Sequence, residues 1–273
     1  MDISVWISDF QRHLTFLNRS PETIKGYQNA LFNFLSYFNR QPKDITKEET
    51  IDYLITLPVF SRKTAIASLK SFYQHCLNSN KLDKLEYPST PEYTPEILSL
   101  DEIAALIEAA TNVKHRTIIM LLYTTGMRVM ELINLRWDCI DRKTMTIHIK
   151  AGKGNKDRPV KLTESMKDQL IRYCKAYGIG CFESANPVFS GAKKNKYTRR
   201  SIETFLYKYA ALAKIKKKVT PHILRHCMAT HLRERGVDLA IIQDLLGHKN
   251  PNTTRIYSKL TNLKLIPDLL ASG

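Results

Sequence analysis

The stretch TPHILRHCMATHLRERG, residues 220–236, reads as a helix over about 221–235 and carries the chain's densest chemistry. His222 and Arg225 lie three apart on it, so both side chains project from one helix face. Downstream, DLLGHKN (244–250) adds His248 and PNTTRIYSKL (251–260) adds Tyr257. Upstream, TTGMRVMELINL (124–135) adds Arg128, and AGKGNKDRPVKL (151–162) adds Lys153 in a glycine-flanked turn. Two arginines, two histidines, a lysine and a tyrosine form a metal-free set suited to a phosphodiester. Arginine forks bind the phosphate oxygens, histidines add hydrogen bonds, tyrosine can attack, and lysine can protonate the leaving oxygen.

Taken singly, each of these residues has an ordinary reading. Arg128 and Glu131 are three apart, the spacing of a common surface ion pair, although Glu131 could equally brace the guanidinium. Most lysines in hairpin turns are solvated, and Lys156 competes with Lys153 for any role in that turn. GKGNK does not match a phosphate-binding Walker loop. With His226 the segment could suggest a metal, but no Asp, Glu or Cys completes a ligand set, so neither a metal nor a cofactor is expected. A tyrosine such as Tyr257 usually packs half-buried, although Thr253, Thr254 and Arg255 make its segment polar.

Working outward, residues 1–86 read as a small helical domain. Ser20 and Pro21 form a good helix start, and Ile24, Tyr27, Leu31, Phe34, Leu35 and Phe38 follow with a helical period that marks core. Further helices are expected from about Thr46 to Leu57 and from about Ser61 to Leu77. Residues 87–98, YPSTPEYTPEIL, carry three prolines and read as a semi-extended linker. Ser99 and Glu102 then form a capping box that opens a second domain, 99–273. Its helices are expected near 100–110, 114–124, 128–136, 163–177, 199–213, 221–235 and 238–246. TMTIHIK (144–150) and DRPVKLT (157–163) pair as antiparallel strands across the turn AGKGNK.

The 273 residues carry a formal charge of +16, unevenly placed. Residues 1–90 hold 11 Lys and Arg against 9 Asp and Glu, while the rest hold 31 against 17. Such a surplus favours a polyanionic partner, usually a nucleic acid, although charge alone does not separate DNA from RNA or an anionic membrane. No apolar run is long enough for a membrane helix and no signal peptide is recognisable. Cys76, Cys139, Cys174, Cys181 and Cys227 lack C-x-x-C pairing, which argues against a disulfide framework or zinc and for a reducing compartment, the cytoplasm.

In order and spacing, the six chemical residues resemble the tyrosine recombinase (phage integrase) family, Xer-like or a small mobile-element integrase. The motifs that match are R-x-x-E at Arg128, the GKGNK turn, H-x-L-R-H at 222–226, LLGH at 245–248 and IY at 256–257. The resemblance implies a mainly α, two-domain protein. An N-terminal core-binding, SAM-like helical bundle would precede a helical catalytic domain with a small antiparallel sheet, the two forming a C-shaped clamp on DNA. It implies that Tyr257 attacks the scissile phosphate, giving a 3′-phosphotyrosyl link, and that strand exchange between two sites runs through a Holliday junction. Arg128, Arg225, His222 and His248 would hold the phosphate, Lys153 would protonate the leaving 5′-oxygen, and Glu131 would orient Arg128.

Candidate contacts to double-stranded DNA are Lys25, Arg62, Lys63, Lys70, Lys193, Lys194, Lys196, Arg199, Arg200, Lys216, Lys217 and Lys218. For any single one of them a solvated face is the commoner reading. The tail LTNLKLIPDLLASG (260–273) is too apolar to hang in water, and the resemblance implies that it docks on a neighbour in a homo-tetramer on two duplexes. Docking on its own domain is the alternative. Rival functions are relaxation of DNA as a type IB topoisomerase and a catalytically silent DNA-binding regulator.

Overall fold

The computed structural model describes residues 2–89, 95–150, 157–178, 185–191 and 197–247. The chain divides into two units, 1–93 and 94–273.

The first unit contains four helices, α1 (Ile3–Phe16), α2 (Pro21–Phe38), α3 (Lys47–Thr56) and α4 (Val59–Cys76). Ser20 caps α2 by accepting from the Thr23 N–H, with Pro21 in the first turn. Thr46 and Glu49 close a reciprocal capping box on α3. From the apolar stripe of α2, Leu31, Phe34 and Leu35 are fully buried, and Ile24, Tyr27 and Phe38 pack on their margin. They meet Phe10 and Leu14 of α1 and Leu69, Phe72 and Tyr73 of α4. The rings pack edge to face, as between Phe34 and Tyr53 at 5.3 Å, the arrangement their quadrupoles favour. Helix α1 was not foreseen as an element, although Asp2 caps it and Ile3, Ile7, Phe10 and Leu14 keep a helical period.

The second unit is built on α5 (Leu100–Ala109), α6 (Val113–Thr125), α7 (Val129–Ile133), α8 (Glu164–Tyr177), α9 (Arg199–Leu212), α10 (Pro221–Glu234) and α11 (Leu239–Leu245). Helix α6 is its axis: Ile118 to Tyr123 are all buried, which only a helix enclosed by others can sustain. The Ser99–Glu102 capping box opens α5 as the sequence indicates. The antiparallel sheet has three strands in the order β1 (Ile140–Asp141), β2 (Thr146–Ile149), β3 (Arg158–Lys161). In β2 and β3, Ile147 faces Val160 and Ile149 faces Arg158.

One expectation needs correction, and one strand is added. The helix expected over 128–136 stops at Ile133, because Leu135 accepts from the Val188 N–H and Trp137 donates to the Asn186 carbonyl. Partners some fifty residues away in sequence draw Leu135 and Trp137 into the core. The short strand β1, pairing Ile140 with Ile147, was also not foreseen.

Residues 97 and 98 are strapped onto α10 and the loop before it. The Leu98 N–H donates to Cys227 Sγ at 3.3 Å, and Lys217 Nζ donates to the Ile97 carbonyl and to Glu102. His231 Nε2 lies 3.0 Å from the Leu98 carbonyl, and its Nδ1 lies 2.8 Å from the Tyr123 hydroxyl. A carbonyl only accepts, so Nε2 carries the proton and Nδ1 accepts from Tyr123.

Burial lowers the pKa of His231, with a smaller opposing effect from the Leu98 carbonyl, and burial also lowers that of His115. The unfolded chain therefore takes up protons near pH 6.5 that the fold refuses, so this stabilisation is complete above that pH and is lost as pH falls. We expect the second unit's melting temperature to drop between about pH 7.5 and about pH 5.5, with a shallower slope in His231→Gln. Thermal melts across that range check this, and an unchanged slope in the variant would refute it.

Candidate active site

The site begins where α6 ends. Gly126 takes a left-handed conformation (φ +59°) that caps the helix, and a Cβ there would collide with Met228 Cε. The tight turn delivers Arg128 to the start of α7. There the Glu131 carboxylate reaches back to accept from the Arg128 backbone N–H at 2.7 Å and from its Nη1 at 3.0 Å. A carboxylate in a helix's first turn also complements the helix dipole.

Glu131 has a second guanidinium on it. Arg158 Nη1 and Nη2 donate to its two oxygens at 3.0 and 2.8 Å, a parallel fork. Both side chains are buried, 6% exposed for Glu131 and 3% for Arg158, whereas Arg128 is 37% exposed. Burial alone would push the Glu131 carboxyl up; the bonds and charge of Arg158, then Arg128, outweigh it and hold the pKa below the ordinary value.

Arg225, on α10, is buried. Its Nη1 donates to the Gly126 carbonyl and its Nη2 to the Leu246 carbonyl, each at 2.6 Å. Burial and the nearby charges of Arg128 and Arg158 bring its pKa down to about 10, so it remains cationic at neutral pH but short of counter-charge. Arg128 and Arg158 thus share one carboxylate, while Arg225 beside them is met only by backbone carbonyls. The surplus suits an anion, and Arg128 is the arginine left partly open to receive one.

His222 sits one turn before Arg225 and faces solvent, its Nε2 3.0 Å from His226 Nε2. One nitrogen of that pair must donate and the other accept, so at most one of the two rings can be fully protonated while the contact lasts. Burial first, then the charges of His226, Arg225, Arg199 and Arg128, lower the pKa of His222. The structure therefore gathers Arg128, Glu131, His222 and Arg225. Lys153, His248 and Tyr257 lie outside the described residues.

Sequence reading missed Arg158. Its signal was parity: in DRPVKL, Arg158 shares the inward face of β3 with Val160, and a charge on the apolar parity of a short strand needs a buried partner. Among the DNA-contact candidates, Lys25, Lys63, Arg200, Lys216 and Lys218 are exposed, as is Arg199, which pairs with Glu203 at 2.8 Å. Others are also engaged within the protein. Arg62 donates to the Ile55 and Leu57 carbonyls at the end of α3, Lys70 donates to the Asp83 carbonyl, and Lys217 holds Ile97 and Glu102. Lys193, Lys194 and Lys196 lie outside the described residues. Among the described residues, no three His, Cys, Asp or Glu side chains cluster as a ligand set, and no helix is long and apolar enough to cross a membrane.

Residues 96–263 match the family model described as "Phage integrase family". The chain belongs to the phage integrase family. Residues 6–81 match the model "Phage integrase, N-terminal SAM-like domain". The chain is 32% identical over 267 residues to tyrosine recombinase XerA of Pyrococcus horikoshii, covering 95% of this chain and 90% of that one. A crystal structure of XerA recombinase matches with a TM-score of 0.53 at 32% identity, covering 94% of each chain. A lambda integrase tetramer bound to a Holliday junction matches with a TM-score of 0.73 at 17% identity, covering 92% of this chain and 75% of that one, which shows the shared fold. This integrase-family chain is thus an enzyme, a tyrosine recombinase similar to the Xer proteins.

Removing the carboxylate strands Arg158 without a counter-charge, so Glu131→Gln should cost about 3–5 kcal/mol of stability. Arg128→Ala removes a partly solvated partner and should cost under about 1 kcal/mol. The two tryptophans divide between the units, so urea melts followed through Trp137 in a Trp6→Phe background report on the second unit. Equal costs for the two substitutions would contradict this picture of the site.

Proposed function

We propose that the protein is a site-specific DNA recombinase of the Xer type, working on double-stranded DNA in the cytoplasm. The observation that carries this is the cluster of three guanidiniums around one carboxylate, two of them bonded to it, with Arg128 part-exposed and Arg225 short of counter-charge. The similarity to XerA, named a tyrosine recombinase, supports it.

In this reading Tyr257 Oη bonds to the scissile phosphorus as the P–O5′ bond breaks. Lys153 gives its proton to the departing 5′-oxygen, leaving a 3′-phosphotyrosyl ester and a free 5′-hydroxyl. At pH 7 only about one phenol in a thousand is ionised, so the site must take up the tyrosine's proton or stabilise its anion. Arg128 and Arg225 hold the non-bridging oxygens together with His222 and His248, and Glu131 fixes Arg128. The ester conserves the bond energy, so the 5′-hydroxyl of a second strand can reverse the step and complete an exchange through a Holliday junction. The first unit serves as a core-binding domain, with the exposed basic residues on phosphates. The tail, residues 263–273, joins protomers into a homo-tetramer on two duplexes; the matching lambda integrase structure is a tetramer bound to a Holliday junction.

Nicked duplexes carrying candidate sites, in which the cleaved end cannot religate, test the chemistry. We expect a heat-stable, protease-sensitive adduct without divalent metal, absent in Tyr257→Phe and slowed about 10²–10³-fold in Arg225→Ala. Tight DNA binding with no adduct on any substrate would favour a regulator instead, and supercoil relaxation without strand exchange would favour a topoisomerase. Deleting residues 263–273 should leave single-site cleavage intact and abolish assembly on paired sites; unchanged assembly would refute the tail's role.

A further inference from the structure

Arg158 is buried, and three of its N–H arms are used inside the protein. Two go in parallel to Glu131, and Nε donates to the Leu245 carbonyl at 2.7 Å. Leu245 is the last residue of α11, and the next carbonyl, Leu246, is the one that Arg225 holds. The backbone then passes over the Arg158 guanidinium: a Cβ on Gly247 would lie 3.1 Å from Nη1 and 3.4 Å from Cδ, and Gly247 has φ +72°. In sequence, His248 follows at once and Tyr257 ten residues beyond Gly247.

Charge compensation for Glu131 explains the fork but not the Nε arm. Buried ion pairs contribute little to stability compared with apolar pairs of similar volume. What this guanidinium adds is direction. Its rigid plane ties a carboxylate that holds Arg128 to the carbonyl end of the helix that leads toward His248 and Tyr257. Cationic donors at a helix C-terminus also meet its unpaired carbonyls and its dipole.

We propose that Arg158 is a positioning residue for strand cleavage, locking Glu131 and Arg128 to the end of α11 so that the phosphate-holding arginines and the root of the nucleophile segment keep one alignment. It rests on the reading of Tyr257 as nucleophile, and Arg158 itself touches no reacting atom. A lysine at 158 keeps the charge, but its single ammonium cannot reproduce three directed bonds in one plane.

The test compares the full chain with Arg158→Lys and, because a lone neutral residue at 158 would strand the Glu131 carboxylate, with the paired Glu131→Gln/Arg158→Met variant. Binding to a site duplex, melting temperature, adduct formation on the nicked duplex, and amide exchange over residues 239–247 are measured. We expect Arg158→Lys to bind like the parent, to melt only slightly lower, to form adduct about a hundredfold more slowly, and to exchange faster over 239–247 but not in residues 2–89. The paired variant, neutral but without the Leu245 arm, should also stay slow. Adduct formation at the parental rate in Arg158→Lys, recovery in the paired variant, or a rate loss matched by equal losses of affinity and melting temperature would overturn the proposal. If the parent itself forms no Tyr257-dependent adduct, the reading of the nucleophile fails instead. Amide exchange, which needs no DNA, then decides for Arg158, and unchanged protection over 239–247 would refute it.

Discussion

One carboxylate organises the centre of the second unit. Glu131 reaches the end of α6 through the Arg128 backbone, β3 through Arg158, and by way of Arg158 the end of α11. Such an arrangement is costly to desolvate, and it holds because every oxygen and three guanidinium arms are met by short, directed bonds. Without the carboxylate, three neighbouring positive groups, two of them buried, would lack any counter-charge, and mutual repulsion would push them apart. With it, repulsion is reduced to a residual positive field. The same residue therefore lets the arginines assemble and leaves them incompletely neutralised, a combination suited to holding an anion.

The elements around this centre serve it by ending in the right places. Gly126 and Gly247 both take left-handed backbone conformations, and helix-end carbonyls beside them face Arg225 and Arg158. Helices α6 and α11 thus present their electron-rich ends to guanidiniums, a favourable meeting of dipole and charge. The packed core of α6, α8 and α10 holds those ends fixed, since a close-packed interior resists the small shifts that would part them.

Most helices of both units were legible because their signals are local. Ser20–Pro21, the Ser99–Glu102 box and the apolar stripe of α2 each declare themselves within one or two turns. The helix expected past Ile133 failed for the opposite reason: Leu135 and Trp137 answer to 186–188, which no local window contains. At the site, Arg128, His222 and Arg225 were legible as a pattern of residue types and spacings. Arg158 was not, because it offers nothing to a ligand and its meaning lies only in where β3 places it. Helix α1 was legible in its period but was passed over beside the stronger stripe of α2.

The strap at residues 97 and 98 has a mechanical consequence. The backbone at 97 and 98 is anchored at Cys227, His231 and Lys217, two of them on the helix that bears Arg225 and His222. His231 stands six residues from Arg225, about 9 Å along the helix axis. The start of the second unit is therefore fixed to α10 as well as to the loop before it. Helix α10 thereby links residues 97 and 98 to the arginine cluster, braced by the Tyr123–His231–Leu98 chain of hydrogen bonds.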